Sequence, residues 1–260
     1  MHQSIAALVC LGGLAGLLLG TAAARAQPAV TALAPDAGTT MPTHPAVVVD
    51  PRWQSSFDAF SAADKLRAPK PGGVVFVGSS SIRLWDGLET QFSEIPVIVK
   101  RGFGGSRMLD CAQHLERLVL PYKPRLVVVY AGDNDLAEGR SPEDVLASFR
   151  GFVEGVQREL PGTRIAYLSI KPSPLREALM PKMRAANALI ERYSHGRTLL
   201  DYIDIHTPML GPDGRPRAEL FAADALHLNE AGYALWKEVI ASHLHLPETG
   251  AAAAAATTAP

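Results

Sequence analysis

An excess of charge of either sign is missing from this chain: 25 lysines and arginines stand against 26 aspartates and glutamates. No basic run interrupts that balance, so the electrostatic footprint of a nucleic-acid-binding surface is absent and DNA or RNA is excluded as an expected partner. Cysteine is nearly missing as well. Of the two present, Cys10 lies in an apolar N-terminal stretch and only Cys111 lies beyond it, so no disulfide framework can brace the mature chain. His-rich or Cys-rich pairs at metal-ligand spacing are also lacking. What the chain does have is 47% hydrophobic residues in 260 positions, ample material for a core.

The apolar stretch runs from Ile5 to Leu19 and is followed by Ala24-Arg25-Ala26, a small-x-small cleavage pattern. Residues 1–26 are therefore expected to be a signal peptide cleaved after Ala26, giving an exported protein, periplasmic or secreted, with no stable membrane insertion. An uncleaved anchor is the alternative, because His2 and the amino terminus are the only positive charges before the apolar stretch. Residues 27–49 are rich in Ala, Pro and Thr without periodicity and read as a disordered linker, and 247–260 read as a disordered tail. Leu246-Pro247-Glu248-Thr249-Gly250 matches a cell-wall sorting pentapeptide, but no apolar span and basic end follow, so the match is read as chance. The folded domain is placed at 50–246.

Within it lie five short apolar runs, Gly73–Val77, Pro96–Lys100, Leu126–Tyr130, Arg164–Ser169 and Leu199–Ile205. Their length and Val/Ile content predict buried parallel strands, and helical patterns separate most of them. Met108, Cys111, Ala112, Leu115, Leu118 and Val119 fall on one helical face, with Arg107, Asp110, His114 and Arg117 elsewhere. Ser141-Pro142-Glu143-Asp144 reads as a cap, an N1 proline and a capping-box acid, and Asn229 caps a last helix with Leu228 and Tyr233 as its hydrophobic staple. Alternating strands and helices predict an α/β fold, a three-layer α/β/α sandwich around a five-stranded parallel sheet of order 2-1-3-4-5. In such sheets ligands bind at the carboxyl ends of the strands, beside the reversal between the first and third.

Four polar segments fall at that edge. The first strand runs into Gly78-Ser79-Ser80-Ser81, which is either an exposed hydroxyl on a sharp turn or a serine-rich helix cap. Arg101-Gly102-Phe103-Gly104-Gly105-Ser106 follows the second strand as a glycine loop, able to present backbone N–H groups or simply to turn. Ala131-Gly132-Asp133-Asn134-Asp135 follows the third and offers a side-chain amide, though Gly, Asp and Asn are also ordinary turn residues. Asp224-Ala225-Leu226-His227 follows the fifth by about twenty residues, enough at roughly 3.3 Å each to return to the first strand. Together these types complete a catalytic set of nucleophile, base, orienting carboxylate and oxyanion donors.

The four blocks, in this order and at these strand ends, resemble the SGNH (GDSL-type) hydrolase superfamily from Gly73 to about Leu246. The resemblance implies Ser80 as nucleophile, His227 as base oriented by Asp224, and an oxyanion hole from the N–H groups of Ser80 and Gly105 and the Asn134 amide. It implies an esterase or acylhydrolase working through an acyl-enzyme without cofactor or metal. Ser79 stands where the family usually has Asp; a shorter hydroxyl can still hydrogen-bond locally, so the departure bears on loop support more than on chemistry. The Gly-x-Ser-x-Gly elbow of the larger α/β-hydrolases does not occur.

Around this set, Trp85 is read as packing rather than pocket lining, and Arg101 and Arg107 as solvated surface rather than anion sites. Lys171 is either a functional-edge or a loop lysine. The short loops carry mostly charged side chains, so short-chain or carbohydrate O-acyl esters are the expected substrates, with lysophospholipids or thioesters as alternatives. A metal-dependent phosphoesterase using Asp133, Asp135, Asp224 and His227 is the enzymatic rival, and a non-catalytic binding module is the rival outside catalysis.

Overall fold

The computed structural model describes residues 50–244; the expected signal (1–26), linker (27–49) and tail (247–260) lie outside them. Five parallel strands, β1 (Val74–Gly78), β2 (Ile98–Gly102), β3 (Leu126–Tyr130), β4 (Arg164–Leu168) and β5 (Leu200–Ile203), form one sheet in the order β2-β1-β3-β4-β5. The expected order is thus observed, with strand ends displaced by one or two residues. β5 stops early because polar side chains take over its backbone. Ser169 Oγ accepts the N–H groups of Ile205 and His206, and Asp204 Oδ1 accepts those of His206 and Thr207.

The inner strands β1 and β3 are buried along their whole length because both sides of the sheet are covered. Val75, Val77, Val127 and Val129 pack with α1 (Pro51–Leu66), α4 (Met108–Gln113), α5 (Leu115–Leu118), α7 (Pro142–Glu159) and α8 (Met180–Ser194). Their neighbours Val74, Phe76, Val128 and Tyr130 pack on the opposite side with α2 (Ser80–Arg83), α3 (Leu88–Gln91) and α9 (Glu230–Leu244). A further short helix, α6 (Asp133–Ala137), follows β3.

The caps form as the sequence suggests. Ser141 Oγ accepts the Asp144 N–H while Asp144 accepts that of Ser141, opening α7. Asn229 Oδ1 accepts the Gly232 N–H at the start of α9, and Leu228 and Tyr233 are buried in one cluster.

Helix α1 was not anticipated. Asp50 caps it and Pro51 opens it, and Trp53 and Phe57 reach inward to Phe103 and His114. The pattern from Met108 to Val119 forms two helices rather than one. The backbone breaks at His114, whose ring is tucked under α1, and Asp110 and His114 are buried although they lie off the apolar face. Trp85 is enclosed by Phe76, Phe92, Tyr233 and Trp236, a packing role as expected.

Candidate active site

The Ser80 loop begins where β1 ends. Gly78 has φ of +150°, and a Cβ there would fall 1.9 Å from the Tyr130 carbonyl oxygen, so only glycine lets β1 run this closely beside β3 before turning. The Ser79 N–H donates to Tyr130 O, and the Phe103 N–H donates to Gly78 O, tying the glycine loop to the serine loop. Ser80 is then the first residue of α2, so its N–H has no intrahelical acceptor. The Ser79 hydroxyl is buried, and among the described residues it has no hydrogen-bond partner.

Asp224 and His227 occupy a tight loop closed by the Ala222 N–H donating to His227 O at 2.8 Å. Ala225 takes the left-handed conformation at its apex, φ 56°. The Asp224 carboxylate shapes this loop as well as the imidazole. Its Oδ1 accepts the N–H groups of Leu226 and His227 at 3.0 and 2.9 Å, and its Oδ2 lies 2.6 Å from His227 Nδ1. The hydrogen bond from the His227 side chain, followed by these two backbone donors, holds the Asp224 carboxyl well below the usual carboxylate range. With Nδ1 facing a carboxylate, the proton of a neutral imidazole resides there and Nε2 is left as an acceptor. Nε2 lies 2.9 Å from Ser80 Oγ, across 147 residues of sequence.

Gly105 and Asn134, the other two expected oxyanion donors, belong to the loops that follow β2 and β3. Gly105 has φ of +73° with open space where a side chain would stand, and the preceding carbonyl, Gly104 O, accepts from Trp53 Nε1 at 2.9 Å. Asn134 Nδ2 donates to Ser106 O at 3.0 Å, which sets its amide against the glycine loop and leaves its second hydrogen available. Asn134 Oδ1 accepts from Arg176 Nη2, also at 3.0 Å. Acceptor on one side and donor on the other demand the same amide orientation.

Behind Asn134 lies a buried charge cluster. Asp133 meets Lys171 at 3.3 Å and Arg176 at 3.0 Å. Burial alone would raise the Asp133 carboxyl, but the two cations and the Lys171 hydrogen bond outweigh it and hold it below its ordinary value. Lys171, 1% exposed, is lowered by burial against the opposing pull of Asp133. It is therefore a structural ion-pair member rather than a loop lysine. Arg101 likewise departs from the expected solvated role: it is buried against Tyr122 and Asp64 and stacked on the Tyr122 ring. Arg107 is held by two hydrogen bonds to Asp110, a residue of its own turn. Asp135, fully buried, accepts the Met108 N–H at 2.9 Å, and its carboxyl is pushed up to about 6, mainly by burial.

Thus Ser80, Asp224 and His227 are joined by hydrogen bonds, and Gly105 and Asn134 stand together on adjoining loops. Asp133 and Asp135 are instead committed to Lys171, Arg176 and Met108. Among the described residues no group of three or more His, Cys, Asp or Glu side chains is arranged to hold a metal ion. Sequence reasoning missed Arg176 and Trp53. Each reaches its partner only through the tertiary fold, 42 and 51 residues away, with no local pattern to reveal it.

The family model for GDSL-like lipases and acylhydrolases matches residues 71–235. No curated protein matches the chain. Among solved structures, a Streptococcus pneumoniae protein named for platelet activating factor is 19% identical, with 75% of this chain and 93% of that one covered and a TM-score of 0.67. A GDSL-like lipase from Bacteroides thetaiotaomicron is 20% identical over 72% and 96% of the two chains, TM-score 0.62. A carbohydrate esterase family 3 protein from Talaromyces cellulolyticus is 17% identical over 66% and 96%, TM-score 0.54. At these identities the likeness extends to the fold alone.

Proposed function

The chain belongs to the GDSL-like lipase/acylhydrolase family, and from that premise we propose that it is an exported serine esterase acting on short-chain or carbohydrate O-acyl esters. The observation that carries the proposal is the 2.9 Å contact between His227 Nε2 and Ser80 Oγ, continued at 2.6 Å from Nδ1 to Asp224.

In this reading His227 Nε2 takes the Ser80 proton as Oγ attacks the ester carbonyl, and Asp224 holds the tautomer that can accept it. The negative oxygen of the tetrahedral intermediate is met by the N–H groups of Ser80 and Gly105 and by the free amide hydrogen of Asn134. His227 then gives its proton to the departing alcohol, leaving an acyl group on Ser80. Water repeats the sequence with the same base and releases the acid. No step asks for a cofactor.

The preference for short acyl groups rests on the surface. Leu66 and Leu175 are the exposed large hydrophobic side chains among the described residues, and only Leu175, whose N–H donates to Ala225 O, adjoins the Asp224–His227 loop. A single leucine does not amount to the continuous apolar surface that a long acyl chain needs. The polar side chains nearby suit a sugar or another polar alcohol as leaving group, in line with the fold likeness to a carbohydrate esterase. Export rests on the N-terminal apolar stretch and its Ala24-Arg25-Ala26 sequence.

The decisive test is active-site labelling. A fluorophosphonate probe should modify Ser80 in the wild-type protein, and Ser80→Ala should lose both labelling and hydrolysis of p-nitrophenyl acetate while melting like wild type. Retained hydrolysis in Ser80→Ala would overturn the assignment. Amino-terminal sequencing of protein recovered outside the cytoplasm should begin at Gln27.

A further inference from the structure

The segment that precedes the family-matched region holds one member of the proposed oxyanion hole. Helix α1 lies before residues 71–235, yet its Trp53 donates from Nε1 to the carbonyl oxygen of Gly104 at 2.9 Å. That carbonyl shares a peptide unit with the Gly105 N–H. In a trans peptide the C=O and N–H point in opposite directions across a rigid plane, so fixing one fixes the other. Glycine on both sides of this peptide gives the chain little resistance to rotating the whole unit, since Gly104 and Gly105 have no side chains to restrict their dihedrals. The indole supplies the missing restraint.

We infer that Trp53 is a positioning residue: by holding Gly104 O on the α1 side, it keeps the Gly105 N–H facing away from α1, ready for the developing oxyanion. Three observations support this. Trp53 is 3% exposed, and its ring is set edge-on against Phe103 at 5.3 Å, so the indole has little freedom of its own. The guanidinium of Arg52 covers the ring at 4.2 Å. Among the described residues no acceptor is bonded to the Gly105 N–H, so the orientation of this donor is not set by a bond of its own. A buried indole commonly finds a partner for its N–H, but here the partner belongs to the peptide unit whose other end is a proposed catalytic donor.

The inference rests on the oxyanion hole proposed above, and the experiment separates the two. In the full chain, Trp53 is replaced by Phe, and separately by the benzothiophene analogue of Trp, in which sulfur takes the place of N–H without changing the shape. Both should lower kcat for p-nitrophenyl acetate about tenfold with KM within about twofold. The inhibition constant of phenylboronic acid, which forms a tetrahedral adduct on the serine, should rise by a similar factor. Phe57→Leu is the packing control, since Phe57 also touches Phe103 but bonds to no loop carbonyl; it should lower Tm and leave kcat nearly unchanged. Unchanged kcat in the benzothiophene variant, or an equal loss of kcat in Phe57→Leu, would overturn the role of Trp53. An active Ser80→Ala protein would instead overturn the esterase reading itself.

Discussion

Arg176 donates to the side-chain oxygen of Asn134 at 3.0 Å and simultaneously meets Asp133, the residue before it, at 3.0 Å. One guanidinium thus fixes which end of the amide faces the glycine loop and neutralises the carboxylate that adjoins it. Its planar fork suits this double duty in a way that a lysine ammonium does not.

Removing that fork should be felt in catalysis. Arg176→Ala is expected to lower kcat about tenfold, and Asn134→Ala about a hundredfold, each with a smaller change in KM because the amide is proposed to serve charge that develops in the transition state. The two losses should not add, since Arg176 acts through Asn134. A double-mutant cycle on p-nitrophenyl acetate measures this, and full additivity would separate the two residues.

Asp135 makes stability depend on pH in an unusual direction. Its folded carboxyl titrates at about 6, whereas an unfolded aspartate titrates near 4. Between those values the native state binds more protons than the unfolded one, so stability declines as pH rises through the window, by about 3 kcal/mol in all. Arg140, 3.8 Å away, opposes the shift only weakly. Asp135→Asn keeps an oxygen for the Met108 N–H but cannot ionise. Urea denaturation from about pH 4 to about pH 7 should show a flatter profile for this variant than for wild type, with the gain in stability greatest at the neutral end.

Ser79→Ala should be neutral or stabilising by about 1 kcal/mol, since it removes a buried hydroxyl that has no partner among the described residues. Thermal melts measure the stability, and kcat should stay within about twofold of wild type. A marked loss of either would mean that the hydroxyl has a role that its surroundings do not reveal.

Substrate length is checked with p-nitrophenyl esters from acetyl to palmitoyl, under detergent conditions that keep them monomeric. The kcat/KM should be highest for the short acyl groups. A maximum at the long end would point to lysophospholipids or other long-chain esters instead.

The sheet was legible because the inner strands β1 and β3, covered on both faces, are short runs rich in Val, and because the order of parallel strands is narrowly constrained. Ser80, Gly105, Asn134, Asp224 and His227 stood out as candidates because each sits just after a strand or in the long segment following the last one. Helix α1 left no comparable signal. Its buried residues are Trp53 and Phe57 alone, on an otherwise polar helix, too few for periodicity to reveal. The same omission misplaced His114 and Arg101, which α1 covers or pairs with. Lys171 failed for a related reason: whether a lysine after a strand is solvated depends on Asp133 and Arg176 arriving from other loops.

The loop from Ala222 to His227 gives the site a particular mechanical character. Asp224 binds the backbone of Leu226 and His227 as well as the imidazole, so the two side chains are tied into one fragment. Displacement of that fragment stretches the link to Ser80 and leaves the link between Asp224 and His227 intact. In the proposed mechanism the three residues therefore share a single adjustable joint, and their alignment is governed by one distance rather than by two independent ones.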